Sequence, residues 1–222
     1  ESCRGRGMKA LVLYSAGGGS SMGYHREGFT VLGIDHIKKR DYPFEQIKAD
    51  IPSYIESTPL EWFRQFDLIS AHPPCQMHSI TRNLAIAQGN RPSEVEHIGI
   101  IRPFLQRVGV PYVIENVVGA PLEGTILCGS SFGLGVRRHR IFESSFPIEA
   151  LPCHHREQGR PIGVYGALDD EIPGGGKTAE TVEQAREAMG IEWLNWGDLK
   201  QSIPPAYTQH VARCFKKSRL LA

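Results

Sequence analysis

Short, nearly continuous apolar runs recur at residues 9–14, 30–35, 66–71 and 111–114. Runs of this length without strict alternation mark strands covered on both faces, as in a parallel sheet. Weaker runs at 125–129 and 139–143 add two strands, and residues 46–49 form a marginal one. Between them the pattern turns helical. A short helix is expected after the turn at 15–23, another over 60–64 behind Pro59, and a longer one over 93–108. Ser93 and Glu96 stand in capping-box spacing, and Pro103 is expected to kink or restart that helix. Residues 178–189 carry an amphipathic period closed by Gly190, and a last helix after Pro204-Pro205 ends among Lys216, Lys217 and Arg219. Alternating strands and helices predict an α/β fold, a mostly parallel sheet with helices on both faces. One domain is expected over 8–222, with residues 1–7 as an upstream extension or tag remnant. Residues 147–173 shift to Pro, Gly, His and charge, which leaves little room for a second core.

In open α/β sheets the chemistry gathers at the carboxyl ends of the strands. The first strand runs into Ser15-Ala16-Gly17-Gly18-Gly19, and the second ends in Asp35. This is the layout of a nucleotide-binding unit: glycines admit a ligand close to the backbone, and the acid can accept bonds from ribose hydroxyls. The dinucleotide pattern fails because Met22 stands where glycine is required, so other adenosine-containing ligands remain. Asp50, after the weak third strand, reads either as an adenine contact or as a helix-capping aspartate. The run at 66–71 enters His72-Pro73-Pro74-Cys75-Gln76, where two prolines stiffen the chain ahead of a thiol. Cys75 reads as a nucleophile or as a half-buried thiol. The run at 111–114 delivers Glu115-Asn116-Val117, and a carboxylate behind a fully apolar strand is costly to bury without a task. Arg137, Arg138 and Arg140 cluster at the start of a later strand as a basic edge or a contact to phosphate or base.

Composition narrows the classes. Twenty-five Lys and Arg against 24 Asp and Glu give no global basic excess, so nucleic-acid binding would rest on local clusters. Five scattered cysteines lack disulfide-framework spacing and suit a reduced, intracellular protein. No apolar run approaches membrane-spanning length and no signal-peptide pattern is visible, so neither is expected. Gly174-Gly175-Gly176-Lys177-Thr178 mimics the end of a phosphate loop but lacks its first glycine and its preceding strand. Cys153-His154-His155 has metal-binding residue types, yet no second ligand pair stands at a usual spacing. Surface residues and no metal are expected there. Trp193 and Trp196 read as packing anchors.

Taken in order, the glycine turn, Asp35, Pro74-Cys75-Gln76, Glu115-Asn116-Val117, the arginine strand and Ile203-Pro204-Pro205 resemble the DNA cytosine-5 methyltransferase family. The likeness is to its short, bacteriophage-type members and runs from about Leu11 to Phe215. It implies a Rossmann-like domain using S-adenosyl-L-methionine, acting on double-stranded DNA as a monomer in a host cytoplasm, in a restriction-modification setting. It places the nucleophile on Cys75, the base contact on Glu115, a loop brace on Asn116 and charge stabilisation on Arg138 and Arg140. Cofactor contacts would fall on Tyr14, Ala16, Gly18, Gly19, Asp35, His36, Asp50, Ile51, Pro73, Gln201 and Ser202. DNA contacts would fall on Gln76, Ser79, Arg82, Arg91 and Arg137, with residues 79–92 as a loop over the crevice.

The chain departs from the family at three points: Ala16 replaces a turn glycine, Val136 a glutamine, and Lys200-Gln201 the usual Gly-Asn. The last change leaves open a modified cofactor carrying a carboxylate, and RNA as a substrate is also open. A catalytically silent nucleic-acid- or partner-binding module is the remaining alternative. The insert at about 147–177 is too short for a full target-recognition domain, which implies short or lax sequence specificity.

Overall fold

The computed structural model describes residues 7–74, 96–172 and 176–221. Its main sheet has seven strands in the order β3-β2-β1-β4-β5-β7-β6. These are β1 (Lys9–Leu13), β2 (Thr30–Asp35), β3 (Glu45–Lys48), β4 (Leu68–Ala71), β5 (Tyr112–Val117), β6 (Thr125–Leu127) and β7 (Arg140–Ser144). The first five are parallel, and β7 runs antiparallel to both β5 and β6. Strand order reverses between β1 and β4, which opens a crevice at their carboxyl ends.

Alternation along the strands splits the core into two layers. Leu11, Leu13, Ile69 and Ile114 face one side, against α2 (Ile51–Ser57), α3 (Leu60–Phe63) and α4 (His97–Val108). Ala10, Val12, Leu68 and Val113 face the other, against α1 (Gly19–Arg26) and α7 (Pro205–Leu221). Helix α4 continues through Pro103 without a restart. An interior proline costs about 3 kcal/mol. Burial of Ile98, Ile101, Phe104, Leu105 and Val108, at roughly 1.5–3 kcal/mol each, outweighs it. Glu96 is itself the N-cap, its carboxylate accepting from the backbone of Ile98 and Gly99; Ser93 lies outside the described residues.

Helix α1 begins at Gly19, inside the glycine turn rather than after it. It packs against α7 so closely that a Cβ on Gly23 would stand 2.0 Å from Thr208 Oγ1 and 2.3 Å from the Pro205 carbonyl oxygen. Thr208 Oγ1 also donates to the Ser20 carbonyl at 2.7 Å, tying the two helices together.

A third buried cluster forms mainly from residues after 178, and the stretch 147–173 contributes Val164 to it. A small sheet of β8 (Ile162–Gly163), β9 (Glu171–Ile172) and β10 (Gly176–Thr178) joins α5 (Val182–Met189) and α6 (Trp196–Gln201). Val164, Ala185, Met189, Leu194 and Leu199 are buried among these elements. Their apolar positions are spread over 35 residues, so no single run advertised them. Thr178 belongs to β10, and the helix starts later, at a cap where Thr181 accepts from Gln184 at 3.1 Å.

Replacing Gly23 with Ala should lower stability by about 1–3 kcal/mol, because α7 backbone cannot yield to the methyl group; urea unfolding measures this. On the opposite face, Arg102 of α4 grips Glu143 of β7 with two bonds of 2.7 and 2.9 Å. Partial burial raises the Glu143 carboxyl, but Arg102 and the Glu123 amide outweigh it and hold it below its ordinary 4.5. Its contribution is therefore fully present above pH 4.5 and is lost as pH falls through the lowered folded value. Glu143→Gln should cost about 1–2 kcal/mol at pH 7 and flatten the acid limb of a stability–pH curve.

Candidate active site

A cavity of about 350 Å³ opens at the carboxyl ends of β1, β2, β4 and β5. Tyr14, Ser15, Ala16, Gly19 and Ser20 form one wall, Asp35, His36 and Ile37 a second, and His72, Pro73 and Pro74 the floor beside Glu115 and Asn116. Arg138 and Arg140 close one side, and Lys200, Gln201 and Ser202 another. Most of the residues expected from sequence at a cofactor site thus meet in one place. Gly18, Asp50 and Ile51 do not line it. Gly18 is the left-handed pivot before α1 (φ 89°), Ile51 is core, and Asp50 caps α2 by accepting from Ser53.

The turn after β1 is held by Asp35, which is only 5 % exposed. Its Oδ2 accepts from the Ala16 amide at 2.8 Å, and Oδ1 accepts from the Ile37 amide at 3.2 Å with His36 Nδ1 2.8 Å away. Tyr14 and Ala16 take positive φ in this turn, a strain these bonds sustain. Trp193 reaches back to donate to the Gly17 carbonyl at 2.9 Å, and Trp196 donates to Gly166, so both act as anchors. Burial, followed by the charges of Asp50 and Asp35, raises the Tyr14 phenol, which stays protonated. Its oxygen lies 3.0 Å from His97 Nδ1. Ile37 stands 47 % exposed at the rim, an apolar face suited to a flat heteroaromatic ring.

The second half of the cavity is built around Glu115, 3 % exposed. In β5 it shares a face with Val117, which pairs with Arg140 on antiparallel β7. That register sets Arg140 diagonally beside Glu115, with Nε 3.1 Å from Oε1. The N–H is not aligned with this oxygen, so Oε1 has a charge beside it but no hydrogen-bond partner among the described residues. Oε2 lies 3.0 Å from His72 Nδ1, and His72 Nε2 is 3.0 Å from Ser70 Oγ, which accepts from Tyr24. A buried chain from Tyr24 to Arg140 therefore fixes the carboxylate from below. Asn116 Nδ2 donates to the Pro73 carbonyl at 2.9 Å, bracing the loop that leads to Cys75.

Two arginines near the cavity are held by backbone carbonyls. Arg138, at φ 35°, donates to the carbonyls of Val164 and Lys200 and so braces the segment before α7. Arg137 turns into the insert and bonds Gln158, His155 and Gly159. Their roles depend on which carbonyls tertiary folding brings near, and local sequence holds no sign of that. Cys75, Gln76, Ser79, Arg82 and Arg91 lie outside the described residues, as does the 79–92 loop. Sequence reasoning missed His72, Ile37 and Lys39. His72 sits next to Pro73, but nothing in the sequence pairs it with Glu115. Lys39 faces the cavity and is held to Asp198 at 2.7 Å.

No protein-family model matches the chain, and no curated protein matches it. Solved structures do. A triple-alanine variant of DNMT2 from Spodoptera frugiperda superposes with a TM-score of 0.62 at 12% identity, over 94% of this chain and 99% of that one. The Entamoeba histolytica methyltransferase EhMeth superposes at 0.58 and 12% identity, over 96% and 99% of the two chains. The fold is that of a Rossmann-like S-adenosylmethionine-dependent methyltransferase, as expected from sequence. No helix among the described residues is long and apolar enough to cross a membrane.

Glu115→Gln should cost about 3 kcal/mol or more in denaturant unfolding, since it leaves Arg140 without its buried counter-ion.

Proposed function

We propose that the chain is an S-adenosylmethionine-dependent cytosine-5 methyltransferase that acts on DNA, with Cys75 as covalent nucleophile. The observation that supports this most is Glu115 Oε1, which lies buried at the wall of the cavity with Arg140 Nε 3.1 Å away and no hydrogen-bond partner among the described residues, beside Pro73 braced by Asn116. A buried acceptor of this kind matches the N–H edge of a base.

The residues present fit the cofactor. Gly18 gives α1 no side-chain cap, so its first amides are available to a carboxylate. Gly19 and Ser20 face the cavity there. Asp35 and Ile37 suit a ribose and an adenine. When bound, the cofactor supplies an electrophilic sulfonium methyl group. The chain's own work is to make C5 of cytosine nucleophilic. Addition of the Cys75 thiolate at C6 moves an electron pair onto C5, and Glu115, carrying a proton taken up from solvent, passes it to N3 and then accepts the N3–H bond as a carboxylate. Arg140 keeps Glu115 in place and adds positive potential at the base edge. After alkylation, loss of the C5 proton expels the thiolate and restores the ring. C6 is hidden in a duplex, so the target base must leave the stack.

Lys200 favours a second reading. It replaces the family's glycine, lines the cavity, and its Nζ bonds the Gly166 carbonyl at 3.1 Å. A cation there suits a cofactor analogue with a carboxylate on the transferred group.

Nucleoside mass spectrometry after incubation with DNA or RNA and S-adenosylmethionine tests both. The expected product is 5-methylcytosine in DNA, lost by roughly 10³-fold or more in Cys75→Ala and Cys75→Ser. Product surviving either change would overturn the covalent step. Methylated RNA alone would move the substrate, and a heavier C5 group from cell-derived DNA would favour the second reading.

A further inference from the structure

The motif Cys153-His154-His155 was set aside for want of a second ligand pair. Folding supplies one from far away in sequence. Cys128 follows β6, His139 precedes β7, and Cys153 and His155 come from the irregular stretch after β7. Cys128 Sγ lies 3.2 Å from His155 Nε2, and Cys153 Sγ lies 3.6 Å from His139 Nε2. The four ligand atoms all fall within 4.8 Å of one another.

We propose that Cys128, His139, Cys153 and His155 bind one zinc ion as a closed structural site. Zinc–sulfur bonds of about 2.3 Å and zinc–nitrogen bonds of about 2.0–2.1 Å put tetrahedral ligand atoms roughly 3.3–3.8 Å apart. The observed sulfur–nitrogen separations lie at or near that range. Two thiolates neutralise the ion beside Arg137 and Arg140, and two imidazoles complete four-coordination. Four protein ligands leave no open position for water or substrate, so the role is structural rather than catalytic.

The position explains the need. The stretch from 145 to 161 has no strand or helix. A few bonds hold it down, such as His154 N to Ser130 Oγ at 3.0 Å and Gln158 Nε2 to Leu134 O at 2.8 Å. Zinc would cross-link it to the β6–β7 hairpin, adding binding free energy to folding. His139 stands between Arg138 and Arg140, so the ion would also anchor the outer end of the arginine strand that meets Glu115. This assignment does not depend on the reaction proposed above.

The test is elemental analysis of the full chain purified under reducing conditions without chelator. About one zinc per chain is expected, and cobalt in its place should show the intense visible bands of tetrahedral thiolate coordination. Cys153→Ser and His155→Ala should each lower bound zinc by about 10-fold or more. His155→Cys, which keeps four ligands, should retain it and guards against a merely misfolded variant. A chelator should lower the melting temperature of the native chain and leave Cys153→Ser unmoved. Zinc absent from the native chain, zinc content unchanged by Cys153→Ser, or a Cys128–Cys153 disulfide in the unreduced peptide map would overturn the assignment.

Discussion

Antiparallel pairing of β7 with β5 is the constraint on which the site depends. Parallel strands present their carboxyl ends to the crevice, but β7 runs the other way and presents its amino end there. Arg140, the first residue of β7, therefore lies opposite Val117 at the crevice, whereas a parallel β7 over the same ladder would set it opposite Val113, about 13 Å further along at about 3.3 Å per residue. Had β7 been parallel, Glu115 would be a buried carboxylate with only His72 beside it, and such a charge is too costly to keep. The reversal gives the buried acid its counter-ion.

The other half of the cavity rests on close packing of backbone. Gly23 lets α1 lie against α7, and Asp35 and Trp193 hold the turn ahead of α1 from opposite sides. Asp35 therefore shapes the pocket wall as well as offering a contact to a ligand. Trp193, between α5 and α6 and packed against the core they share, pins Gly17 and so makes that core part of the site. Within the segment read as an excursion, the Val164 carbonyl accepts from Arg138 and so supports the arginine strand.

Similarity to a DNMT2 variant and to EhMeth extends over almost the whole chain at 12% identity. Fold is thus retained where most side chains differ, as expected when alternation on strands and apolar helix faces, rather than particular residues, specify the layers. The functional reading rests instead on the few side chains that meet in the cavity.

The chain order of the seven main-sheet strands, Asp35 at the end of β2, and the Glu115-Asn116 pair behind an apolar run were legible from local pattern, whereas the helices α2 and α6 and the continuation of β5 through Glu115 to Val117 were not. Each legible feature depends on neighbours a few residues away, where periodicity and the cost of burying charge act directly. The core behind α5, the buried His72 and the separate contacts of Arg137, Arg138 and Arg140 were not legible. Nor was the meeting of Cys128 and His139 with Cys153 and His155. These features depend on strand direction and on contacts between residues up to some 60 positions apart, such as Arg138 with Lys200. A chain's local pattern fixes which faces are apolar, but only the packed sheet decides which side chains then share a space.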